Sequence, residues 1–316
     1  MGVEAVITTW APSETEARTA TRAAFARMAA LEDSISDYRP RSESMRAVEI
    51  VEEPVPVSED FASALDLGRT WFQLSDGGFD PTVGPLTALW RQSRRRGVQP
   101  SERDIEFAAA SVGWDKLVFD DSVTPATVTF RTAAMGLDFG GLGKGLAADL
   151  ALEEMRRAGL DRSLIDVGGD LVAGSPPPGA RGWRVEVRTV EWDEGVMVEL
   201  ADGAVATSGD VEQFIEVERD GRRVRLGHLL DPRNGRPISI RREATVMVVG
   251  GGRPGATADA LASVAVVRGI EEAGHRVDGL FVGWIRVVEA RHESASDERA
   301  ADWRVRRRAI RGSSAN

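Results

Sequence analysis

The chain has 316 residues, 42% hydrophobic and 28% charged, with a formal net charge of −10 and no cysteine. That length buries a full core in one large domain or two small ones. The acidity argues against a general nucleic-acid binder, and the lack of thiols excludes disulfides, thiolate metal sites and cysteine catalysis.

Val3 to Trp10 predicts a strand, and Glu14 to Ile35 an amphipathic helix with Ala24, Met28 and Leu31 on one face. Ser36-Asp37-Tyr38-Arg39-Pro40 ends that helix. Residues 49–58 form an extended acidic connection, and Glu59 to Ser75 a second helix. Gly77 to Pro85 reads as a turn-rich loop, too crowded with glycine and proline for a regular element. An arginine-rich stretch over 91–96 follows, then a short helix over 101–110 and a pair of strands within 116–132. Met135 to Gly145 is glycine-rich and opens a helix over Leu146 to Ala158. Ser163 to Val167 is a short buried strand closing on Gly168-Gly169-Asp170. Residues 183–189, 195–200, 204–208, 211–218 and 222–227 alternate as antiparallel strands. Ala244 to Val249 is a strand, Thr257 to Arg268 a helix, and Leu280 to Val288 the last strand. The pattern is α+β without internal repeats. It implies one compact unit over 1–288 and a polar, mobile tail over 289–316 rich in arginine (Arg304, Arg306, Arg307, Arg308).

No apolar run reaches the roughly 18 residues of a membrane helix. The opening MGVEAVITTW lacks the basic-then-apolar layout of a secretory leader, and no cysteine is present to carry a lipid anchor. The expectation is a soluble cytoplasmic protein, or an extracytoplasmic one if an upstream leader was trimmed.

Two distant segments have the makings of one site. In Met135-Gly136-Leu137-Asp138-Phe139-Gly140-Gly141-Leu142-Gly143-Lys144-Gly145, a glycine-rich turn entering a helix offers backbone N–H groups and a positive dipole end to an anion. In Thr257-Ala258-Asp259-Ala260-Leu261-Ala262-Ser263, a carboxylate and a hydroxyl one helical turn apart can hold a hard cation. Neither segment fits a familiar nucleotide motif. A P-loop would need glycine at Asp138 and a hydroxyl at Gly145, and a dinucleotide fingerprint would need glycine at Leu146. On these residues alone a ligand-free structural turn stays open, as does a packed small helix face for Asp259 and Ser263. Lys144 is one of only two lysines among 40 basic residues, and histidine occurs only at 228, 275 and 292. General bases suited to neutral pH are therefore few.

The ordered set GFDPTVGPL, MGLDFGGLGKGLAAD, LIDVGGD, VATSGD, HLLDPRNGRP and ATADALASV resembles the ApbE family of FAD:protein FMN transferases. Met1-Gly2 and the segment around Tyr38 are similar to that family's opening motifs, and the likeness runs over about residues 1–288. The resemblance implies an α+β fold of mixed and antiparallel sheets with packed helices and a central FAD cleft. It implies Mg²⁺-dependent transfer of FMN from FAD to a Thr or Ser hydroxyl of an acceptor flavoprotein subunit, with release of AMP. By motif position the flavin contacts would be Met1, Tyr38, Gly78, Phe79, Asp80, Asp138, Lys144 and Leu230. The metal ligands would be the Gly141 carbonyl, Asp259 and Ser263, and His228 would take the acceptor hydroxyl's proton. Ser263 departs from the family's usual threonine. Two other readings remain: an FAD pyrophosphatase giving FMN and AMP, and a non-catalytic FAD-binding protein.

Overall fold

The computed structural model describes residues 2–189, 192–209, 214–219, 221–269, 271, 273, 282–290 and 303–309. Its frame is a seven-stranded sheet in the order β1 (Ala5–Thr9), β5 (Ser163–Val167), β6 (Asp170–Ala173), β9 (Gly203–Gly209), β14 (Arg242–Val249), β15 (Val282–Ala290) and β16 (Trp303–Ala309). Every neighbouring pair in it is antiparallel. The period of two along each strand separates its residues between two cores. Ile165, Val172, Ala204, Ala206, Ala244 and Val246 enter the main core. Leu164, Leu171, Val205 and Met247 join a second cluster on the other face.

The first face is covered by α6 (Gly143–Arg157) and α7 (Pro254–Arg268), with α1 (Glu14–Ile35) packed on α6 and α3 (Glu59–Ser75) on α1. Ala20, Ala24, Met28, Leu31 and Ile35 form the buried stripe of α1, the face expected from its periodicity. Ser13 and Ser58 cap α1 and α3, each accepting a backbone N–H three residues on. The other face is covered by a ribbon of β7 (Trp183–Thr189) and β8 (Trp192–Leu200) through Trp183, Val185 and Leu200.

A satellite core joins α4 (Gly84–Arg96), α5 (Glu102–Ala109), β10 (Phe214–Arg219) and β12 (Leu230–Asp231) through Leu86, Trp90, Ile105, Ile215, Val217 and Leu230, with Leu226 of β11 (Arg222–Gly227) packed against it. The indole of Trp90 donates to the Gly235 carbonyl at 2.8 Å, fixing α4 to the turn before β13 (Arg236–Pro237). A small sheet of β2 (Val55–Pro56), β4 (Thr127–Phe130) and β3 (Leu117–Asp120) completes the fold.

Several expectations need correction. The loop expected over Gly77–Pro85 becomes a 3-10 turn at Pro81–Val83 and then α4, which carries the arginine stretch in its last turns. Asp80 starts the turn by accepting the Thr82 N–H at 2.8 Å, and Pro81 suits a first helical position. Gly84 is there for close approach, since a Cβ would lie 2.5 Å from the Gly136 backbone. The helix after the glycine loop begins at Gly143, three residues early. A short α2 (Glu43–Ala47) and β6 had no counterpart among the expected elements. Part of the segment expected to be a mobile tail, Trp303–Ala309, instead pairs with β15 as the outermost strand.

Candidate functional site

Between the N-terminal end of α6, the side of α7 that carries Asp259, Ser263 and Val267, strand β9, the end of α1 and α4 lies a cavity of about 760 Å³. That volume falls within the roughly 300–1,000 Å³ usual for small-ligand sites. Tyr38, Gly78, Phe79, Asp80, Asp138, Gly141, Lys144, His228, Leu230, Asp259 and Ser263 all line it. Met1, the remaining candidate, lies outside the described residues.

Most N–H groups of the glycine turn are taken up by the protein itself. Neither α6 nor α7 has a side-chain cap of its own. Instead Asp259 of α7 accepts the Gly145 N–H at 3.1 Å, and the Lys144 N–H also bears on it. Asp149 of α6 accepts the Gly255 and Ala256 N–H groups of α7 at 2.8 and 2.9 Å. The Leu142 and Gly143 N–H groups go to the Phe139 carbonyl, so the opening turn of α6 is satisfied by protein. The helices can exchange caps because they cross backbone to backbone. A Cβ on Gly145 would stand 2.1 Å from the Gly255 oxygen, and one on Gly255 would stand 2.4 Å from the Gly145 oxygen. The acceptor at this helix end is the protein's own Asp259.

Lys144 points from the first turn of α6 to Asp170 on β6, Nζ to Oδ2 2.5 Å. Asp170 and Asp259 are almost wholly buried. Burial and the neighbouring Asp259 push the Asp170 carboxyl up to about 7 against the pull of Lys144. Burial also raises Asp259, again opposed by Lys144. Burial alone would lower the lysine, but the two carboxylates outweigh it and hold Lys144 protonated. Two buried carboxylates thus share one ammonium.

Ser263 lies one turn beyond Asp259, its Oγ 3.3 Å from Ser208 Oγ on β9 and packed against Gly141. Among the described residues no group of three or more acidic or histidine side chains could hold a metal. The Gly141 carbonyl, Asp259 and Ser263 offer hard oxygens, too few to enclose an ion. That set fits a small cation that draws its other ligands from water and a bound phosphate. The cavity's charge favours the same arrangement. Seven carboxylates line it (Glu32, Asp37, Asp80, Asp138, Glu186, Glu243, Asp259) against Arg91, Arg94 and Lys144, so an anionic ligand needs added positive charge.

Phe79 is buried with its ring against Gly141, beside Ser263; its N–H donates to Ser75 Oγ at 2.8 Å, and Gly78 lets Arg268 pass within contact. Asp80 is raised by burial, while bonds from the Thr82 N–H and hydroxyl oppose the shift. Asp138 accepts the Gly140 N–H at 2.8 Å. Tyr38 is 68% exposed. Leu230 is buried in β12, and His228, half-buried, stands just before it. Sequence reasoning missed Arg91, Asp149, Asp170 and Ser208 as site-building residues. Asp149 carried a signal, a lone acid within the apolar run Leu146–Leu152; Arg91 carried none.

The ApbE family model matches residues 1–280. The chain belongs to the ApbE family. A relative from Rhodobacter capsulatus, named FAD:protein FMN transferase, is 33% identical over 73% of this chain. One of the same name from Vibrio cholerae is 29% identical over 78%. The chain spans 42% of the first relative's length and 72% of the second's. The solved ApbE protein from Thermotoga maritima superposes with a TM-score of 0.77 at 27% identity, covering 92% of this chain and 91% of that one. The Vibrio cholerae flavin transferase ApbE, at 23% identity and a TM-score of 0.78 over 99% and 95% of the two chains, shares the fold. The expected architecture of helices on antiparallel sheets is therefore the ApbE fold.

Proposed function

We propose that the chain transfers FMN from FAD to a Thr or Ser hydroxyl of an acceptor flavoprotein, releasing AMP. The observation that carries this reading is the meeting of eleven candidate residues from separate segments in one cavity. The name shared by its relatives supports it.

The chain's residues divide the work. Lys144, charged but shared with Asp170 and Asp259, places one ammonium beside the FAD pyrophosphate, which still needs the added positive charge of a cation. Tyr38, Phe79, Asp80 and Asp138 form a wall for the ring systems. Asp259, Ser263 and the Gly141 carbonyl would hold Mg²⁺, which supplies positive charge to the pyrophosphate oxygens and the departing AMP phosphate. His228 takes the proton of the acceptor hydroxyl as its oxygen attacks the FMN phosphorus. One P–O bond forms to the acceptor, the P–O bond to AMP breaks, and the proton resides on the imidazole.

The test is mass spectrometry of a candidate acceptor subunit after incubation with FAD and Mg²⁺, beside chromatographic assay of AMP. An FMN mass on Ser or Thr matched by AMP release supports transfer. FMN and AMP appearing free, with acceptor unmodified, would reassign the site to FAD hydrolysis, and intact FAD would refute both.

A further inference from the structure

The cation turned most firmly into the cavity wall from α4 is Arg91. Arg94, Arg95 and Arg96 are exposed in the helix's last turn, where they complement its dipole. The Arg91 side chain is 28% exposed and meets three groups from two other segments. Its guanidinium carbon sits 4.0 Å over the Tyr38 ring. Nη1 donates to Asp37, and Nη2 to Asp138 Oδ2 at 3.3 Å. Asp138 is held besides by the Gly140 N–H, and its own N–H donates to the Pro81 carbonyl at 2.7 Å. One planar fork therefore ties the chain end after α1, the glycine turn and α4 together.

We propose that Arg91 is a positioning residue of this ligand site, locking the Tyr38 ring and the Asp138 carboxylate into one rigid wall that receives a planar heteroaromatic ring. The inference rests on the reading of the cavity as an FAD site, and concerns how tightly the flavin dinucleotide is held. The guanidinium covers one face of Tyr38, while the residue's large exposure leaves ring surface for a ligand. It also separates Asp37 and Asp138, two half-buried carboxylates that repel each other, as the upward shift of Asp37 to about 6 by burial and by Asp138 reflects. Lysine cannot replace it, because a point charge provides neither the stacked plane nor two directed donors. Arg91 touches no reacting atom, so its removal weakens ligand binding and leaves the chemical step largely intact.

Tyr38 is the chain's only tyrosine, so biosynthetic 3-fluorotyrosine gives a single ¹⁹F resonance reporting on this ring. The experiment compares the parent with Arg91→Lys and Arg91→Gln by ¹⁹F NMR, by calorimetric titration with FAD, by turnover at saturating FAD and by melting. The expected result has three parts. The free-protein resonance moves toward that of a solvated tyrosine in both variants. The FAD dissociation constant rises about 10-fold or more in both. Turnover at saturation changes by less than about threefold. Equal FAD affinity in parent and variants, whether or not the melting point falls, would overturn the proposal and leave Arg91 as a packing residue. A parent that responds to FAD neither by NMR nor by calorimetry refutes the FAD reading itself. A responsive parent with unchanged variants defeats only the role of Arg91.

Discussion

Asp149 and Asp259 stand in a reciprocal relation: each lies one turn or more inside its own helix and caps the N-terminus of the other's. The consequence is that the carboxylate expected to bind a cation is already part of the frame. One oxygen of Asp259 is committed to the Gly145 amide, and the direction of the carboxylate is set by where α6 begins. The preorganisation of the site and the packing of α6 on α7 are thus one feature.

Asp259→Ala should therefore do two separable things. In chelator it should lower unfolding free energy by about 1–2 kcal/mol, through loss of the cap. It should also abolish stabilisation by added Mg²⁺. Asp259→Asn keeps a carbonyl oxygen for the Gly145 N–H, so it should be no less stable than the alanine variant while failing equally with Mg²⁺. Denaturant unfolding with and without Mg²⁺ measures both. Full Mg²⁺ stabilisation of the alanine variant would remove Asp259 from the ligand set.

Asp149 predicts a pH dependence. Burial pushes its carboxyl up to about 7 although two backbone N–H groups oppose the shift. A folded-state value above the unfolded 3.8 means that the native state binds the proton more tightly. Its contribution to unfolding free energy then falls as pH rises from about 4 to about 7, by at most about 1.4 kcal/mol per pH unit. Asp149→Asn removes this titration, so its stability should decline less over that window than the parent's. Parallel slopes in the two proteins would show that the carboxylate is ionised throughout.

Gly145→Ala tests the helix crossing. The added methyl meets the Gly255 carbonyl oxygen at 2.1 Å, and backbone cannot yield as a side chain can. The expected loss is about 3 kcal/mol or more, since α6 and α7 must separate and the exchanged caps fail together. Gly143→Ala is the contrast. Its nearest neighbour would be Ile35 Cδ1 at 3.6 Å, an ordinary contact, so it should be neutral or gain up to about 1 kcal/mol in helix propensity. Chemical denaturation of both decides the matter, and a fully stable Gly145→Ala protein would contradict the observed crossing.

His228→Ala should lower FMN transfer by about 10²–10⁴-fold in single-turnover assays. FAD affinity should hardly change, because neither the pyrophosphate nor the cation depends on the imidazole. Retained transfer together with a lower melting point would leave His228 as a turn residue before Leu230.

Much of this protein was legible in its local pattern. The bounds of α1, α3 and β5 follow from apolar spacing and serine caps, which act within a turn or two of the chain. The one-turn spacing of Asp259 and Ser263 places both on one helix face before any neighbour is known. What periodicity could not supply is the partner of each group. That the acceptor at the glycine turn is Asp259, 114 residues away, depends on two helices meeting at Gly145 and Gly255. The conversion of the Gly77–Pro85 loop into a capped turn and helix required the contact of Gly84 with the Gly136 backbone. Arg91, one arginine among several on α4, differs from Arg94, Arg95 and Arg96 only in what α4 packs against. Sequence by itself determined the elements and the chemistry on their faces, because propensity, capping and side-chain period act between near neighbours. Tertiary structure alone decided which donor meets which acceptor, because close packing selects one register between distant segments and buried polar groups must be paired within it.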